Sequence, residues 1–70
     1  MAVIKVIELV GTSSTGWDDA ARNAVKEASE TIRSLRGLDV LNQTATVKDG
    51  AISEYRCNVR VSFVVEDVRD

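Results

Sequence analysis

Arg56 and Arg60 stand four residues apart, with Glu54 two residues before the first of them. At that spacing all three point to one side of an extended strand. Long cationic side chains in such a row bind anions across a subunit contact, or they form interface ion pairs with carboxylates such as Glu54. The remaining candidates for chemistry are fewer and plainer. Asp18 with Asp19, and Glu27 with Glu30, are carboxylate pairs that read as helix-end charge and solvated surface. Cys57 alternates with apolar residues, which makes it a structural thiol rather than a nucleophile. The chain has no histidine, so it lacks the usual proton shuttle and a Cys/His zinc site. No serine has a base in view. These absences point to a protein that is not an enzyme.

Gly11 to Gly16, GTSSTG, reads as a turn before a helix. A glycine-rich loop in that place can cradle a phosphate. This one has neither a Walker lysine nor a dinucleotide fingerprint, so a capping role is the better reading. Thr15 with Asp18 resembles a capping box, and Gly16 is the other candidate cap. Trp17, the sole tryptophan, opens the helix and is read as core or interface packing.

The elements that position these residues follow from periodicity. Trp17, Ala20, Ala21, Ala24, Val25, Ala28, Ile32 and Leu35 recur at steps of three and four, which predicts a helix from Trp17 to about Arg36. Such a helix of about 20 residues is roughly 30 Å long. Its alanine stripe lets a sheet come close, with Trp17 at one end and Ile32 and Leu35 at the other as anchors. Gly37 is expected to stop it. Val3 to Val10 predicts a first strand, with Val3, Ile7 and Leu9 on one face and Ile4, Val6 and Val10 on the other. Leu38 to Val47 predicts a second strand whose parity changes near Val40–Leu41, which calls for a bulge. Lys48-Asp49-Gly50 predicts a hairpin turn. Ala51 to Val65 is a third strand, with Tyr55, Cys57, Val59, Val61, Phe63 and Val65 opposite the Glu54, Arg56, Asn58, Arg60 and Ser62 side. Glu66 to Asp70 reads as a frayed charged tail. The order strand, helix, strand, strand gives an α+β chain with a three-stranded sheet and one helix.

Seventy residues make a single domain, 1–70, that is short of core. One cysteine excludes an internal disulfide, so self-association is the expected extra source of stability. A net charge of −2 argues against nucleic acid. Met1 to Val10 is too short to span a membrane and lacks signal-peptide features, so a cytoplasmic location is expected.

The chain resembles the dodecins over essentially its whole length. The resemblance rests on Lys5 to Ser13 (KVIELVGTS), Trp17-Asp18-Asp19-Ala20 at the helix start, and Ala28-Ser29-Glu30-Thr31 within the helix. It continues through Asp49-Gly50, Glu54-Tyr55 and Val61-Ser62-Phe63. It implies a β-α-β-β subunit whose antiparallel sheet wraps one helix, and a hollow homododecameric shell built from trimers. It implies small-ligand storage, with FMN or riboflavin stacked between tryptophans at subunit contacts; some members hold coenzyme A or a metal ion such as calcium. The pocket positions of the family fall here on Gly37, Gln43, Thr44 and Arg56. Only Gln43 matches. Gly37 replaces the stacking tryptophan, Arg56 a glutamine and Thr44 an arginine, and Val64 replaces a further arginine. A flavin-free homologue that binds a metal ion or an anion is the alternative.

Overall fold

A computed structural model describes residues 3–65, and the expected tail from Glu66 lies outside the described residues. The order is β1 (Val3–Ser13), α1 (Trp17–Ser29), β2 (Leu35–Lys48) and β3 (Ala51–Val65). All pairing is antiparallel, with β3 central and β1 and β2 on its two edges. This is the expected β-α-β-β architecture. Among the described residues no helix is long and apolar enough to cross a membrane.

β3 spans the residues expected of it. Its alternation fixes the two faces of the sheet: Cys57, Val59 and Val61 are fully buried against the helix, while Arg56 is exposed on the other side. We call the helix-covered side inner and the opposite side outer. Asp49 and Gly50 both take positive φ, 54° and 79°, as a two-residue hairpin turn requires. The expected bulge is present as a register shift between Val40 and Asn42. It lets Val40 and Gln43, of opposite parity, both pair with inner residues of β3, Val59 and Cys57.

Two boundaries differ from expectation. α1 has 13 residues rather than about 20, and it ends at Ser29. The 3.6-residue pattern runs on through Ile32 and Leu35, but other groups take up the last turn. The Ser29 hydroxyl donates to the Lys26 carbonyl at 2.8 Å and the Thr31 hydroxyl to that of Ala28 at 3.4 Å. The backbone ladder tightens there too, with the Glu30 and Thr31 N–H groups bonding three residues back to Glu27 and Ala28 at 3.2 Å, and its last four-residue bond runs from the Ile32 N–H to Ala28 at 2.9 Å. The sheet then claims the chain, because Leu35 pairs with Phe63 on the second edge of β3. Leu35 still anchors the core, from a strand rather than from the helix. Gly37 is accordingly not a helix stop; it lies within β2 opposite Ser62.

The second difference is at Gly11, expected in a turn. Gly11, Thr12 and Ser13 complete β1, and only Ser14 to Gly16 turn. Gly11 meets the helix. A Cβ there would lie 2.0 Å from the Ala20 carbonyl oxygen and 3.0 Å from the Ala24 Cβ. Ala20, Ala24 and Ala28 are the buried stripe of α1, so methyl-sized residues on the helix face a bare backbone on the strand. Gly16 is the N-cap, and no side chain caps the backbone N–H groups of the first turn, so the Thr15–Asp18 box does not form. Ser13 organises the turn instead. Its oxygen accepts the Thr15 and Gly16 N–H groups at 2.9 and 3.4 Å, and its hydroxyl donates to Asp19 Oδ2 at 2.7 Å.

The helix is about 20 Å long at 1.5 Å per residue, whereas the subunit extends 57 Å. It lies on β1 and β3 and barely reaches β2. The Gly11→Ala variant is therefore expected to lose about 3 kcal/mol, at the upper end of overpacking costs. Gly16→Ala, whose Cβ meets nothing within 4 Å, should stay within about 1 kcal/mol. Chemical denaturation of the two variants checks the contrast.

Candidate ligand site

The antiparallel register sorts the outer face into cross-strand rows. Glu8, Arg60 and Asp39 form one row, with Arg60 central. Arg60 Nη2 lies 3.4 Å from Glu8 Oε2, and both side chains are exposed. Thr12, Arg56 and Thr44 form another row nearer the hairpin. Here the central guanidinium has a hydroxyl residue on each side and no carboxylate across from it. The sole ion pair among the described residues is Arg60 with Glu8. The two arginines of the expected stripe thus differ: Arg60 is neutralised within the chain and Arg56 is not.

Gln43 pairs with Cys57 and so belongs to the inner side. It lines an open cleft of about 620 Å³ with Trp17, Tyr55, Asp18, Asp19 and Arg22. Trp17 is fixed there by two contacts. Its Nε1–H donates to the Thr44 carbonyl at 2.8 Å. Its ring meets Tyr55 edge-on, with centroids 4.9 Å apart and planes at 83°. That is a packing role, as the residue type and place suggested.

Of the four family positions, the structure brings Thr44 and Arg56 together as direct partners, with Gln43 adjacent on the other face. Gly37 is not among them. It is seven residues up the same strand from Thr44, roughly 20 Å at 3.3 Å per residue. No one subunit unites the four. A Cβ on Gly37 would meet only the Ser62 hydroxyl, at 3.0 Å.

The residues do not fit a stacked flavin. Trp17 is held by Thr44 and Tyr55, and Tyr55 and Phe63 take the inner parity of β3. The outer face of the described residues offers no aromatic ring, and Gly37 supplies none. A metal fits a single subunit no better: among the described residues no three His, Cys, Asp or Glu side chains come together to hold one. Cys57 is buried, in keeping with a structural thiol.

The sequence and fold agree with known proteins across nearly the full chain. A family model for dodecin matches residues 3–66. The chain belongs to the dodecin family. It is 38% identical over 63 residues to the calcium dodecin of Mycobacterium tuberculosis, covering 90% of this chain and 89% of that protein. It is 34% identical over 65 residues to the dodecin of Thermus thermophilus, covering 93% and 94% of the two chains. The structure superposes on the dodecin from Streptomyces coelicolor with a TM-score of 0.91, at 35% identity over 94% of each chain. The dodecin fold is thus retained over nearly the whole chain at about one-third identity.

Missed by the sequence reading was the Trp17 bond to Thr44. Nothing in a one-dimensional pattern places a helix start beside a residue 27 positions later. A Trp17→Phe variant keeps an aromatic ring but shortens it and removes the donor, and it should cost about 1–2 kcal/mol, the net worth of one hydrogen bond plus the lost ring contact. Thermal melts of the two proteins measure the difference.

Proposed function

We propose that this protein is a non-enzymatic, dodecin-type carrier that stores or sequesters a small anionic ligand at subunit contacts of a hollow homododecameric shell. Membership of the dodecin family supports the binding role. The thin core supports self-association: Ala20, Ala24, Ala28, Cys57, Val59 and Val61 are its only buried apolar residues among those described.

One observation carries the ligand chemistry. Arg56 sits between Thr12 and Thr44 with no carboxylate across from it, in the same sheet face where Arg60 has its charge answered by Glu8. A guanidinium flanked by two hydroxyls offers charge-assisted donors to a phosphate or carboxylate. No aromatic ring competes for the ligand's flat surface, so charge rather than stacking sets affinity. FMN, which carries a phosphate, should therefore bind about tenfold more tightly than riboflavin, in line with the 1.5–3 kcal/mol of hydrogen bonds to charged groups. Arg56→Gln should erase the difference. Titrations followed by flavin fluorescence test this, and equal binding of both flavins, or of neither at millimolar concentration, would overturn the anionic subsite.

A calcium-binding reading has its own support, the similarity to a calcium dodecin. Glu8 and Asp39 are the outer-face carboxylates nearest one another across the sheet, but Arg60 stands between them. Calcium takes six to eight oxygens, so several subunits would have to contribute. A rise in thermal midpoint with calcium that EDTA reverses, lost in Glu8→Gln, would favour it over the anion. Light scattering at micromolar concentration reports on the shell directly; twelve chains per particle are expected, and a stable folded monomer removes that part of the reading.

A further inference from the structure

The sheet continues past the end of everything that supports it. β1 finishes at Ser13, opposite Tyr55, and Trp17 reaches no further along β2 than Thr44. Residues 46–54 therefore form a two-stranded ribbon that projects alone. A bare hairpin of this kind is marginally stable in water. Its cross-strand pair Val47 and Ile52 is apolar and 67% and 45% exposed.

At the other side of the molecule the short helix leaves β2 uncovered. Ala21 and Val25 of the helix and Leu38 of the strand line an apolar groove there, and Leu35 with Val25 and Leu38 extends it toward Gly37. Leu38 and Val40 are inner-face partners of the buried Val61 and Val59, yet they are 37% and 49% exposed. The groove rim is cationic, formed by Arg22 and Lys26, neither of which has an ion pair among the described residues. The arm carries the carboxylates Asp49 and Glu54, also unpaired, against the single cation Lys48.

We propose that the hairpin arm of one subunit seats in the helix–β2 groove of a second copy of this chain. Val47 and Ile52 enter between Val25 and Leu38, and Asp49 and Glu54 meet Arg22 and Lys26. This rests on the assembly reading above and names the contact that makes it. Arm and groove are different surfaces, so the contact is head-to-tail, and it ends only when a ring closes.

Two variants with opposite defects test the proposal. Val47→Asp with Ile52→Asp spoils the arm and leaves the groove; Arg22→Glu with Lys26→Glu spoils the groove rim and leaves the arm. Each alone is expected to sediment as small species while circular dichroism stays that of the parent. Mixed one to one, they should form a dimer, since one good arm meets one good groove and no ring can follow. A second measurement avoids polar substitutions altogether. Val47→Cys combined with Leu38→Cys should give a ladder of disulfide-linked chains on oxidation, which neither single variant gives, because the native Cys57 is buried. Parent protein that assembles while the arm variants assemble equally well and no ladder forms would overturn the arm contact and leave the shell reading intact. Parent protein that stays monomeric would overturn both.

Discussion

The close approach of Gly11 to Ala20 and Ala24 sets the terms for the whole subunit. Three small residues bring backbone against backbone, and this brings Val59 and Val61 of the central strand under the same helix. Dispersion contacts fall off steeply with a gap of even half an ångström, so a thin core gains most from contact this tight. The cost is reach. A 13-residue helix seated by alanines over β1 and β3 bonds β2 only from its first turn, through Trp17, and leaves Leu38 and Val40 of β2 exposed on the inner side.

That shortage shapes what the outer and inner faces can do. The inner face ends in exposed aliphatic side chains rather than a sealed core. The outer face, free of any covering element, holds its charges in rows fixed by strand register. Within those rows chemistry depends on what stands across the strand. Arg60 and Arg56 are identical groups four residues apart, and neighbours on β1 and β2 give them different characters.

How far a sequence speaks for itself varied along the chain. Alternation in β3, the Asp49-Gly50 turn and the parity change at Val40–Leu41 are local signals, and each is met by the structure. The helix end was not legible, because Ile32 and Leu35 satisfy helical spacing while the edge of β3 supplies a stronger claim on Leu35. Gly11 misled for a related reason: glycine marks turns, and it equally marks a place where another element must come near. At the site, the types of residue were readable and their grouping was not. Thr44 and Arg56 are partners through a hairpin, but the distance between Gly37 and that pair emerges only once both are placed on one long strand.

Trp17 and Tyr55 are the sole tryptophan and tyrosine of the chain, and they touch at the joint where the supported sheet gives way to the free ribbon. Light absorbed by the phenol passes to the indole across that contact, and the indole N–H is anchored to the ribbon's root. The molecule thus carries an intrinsic optical gauge at the foot of the ribbon. Its emission reports on the posture of the ribbon without any added label.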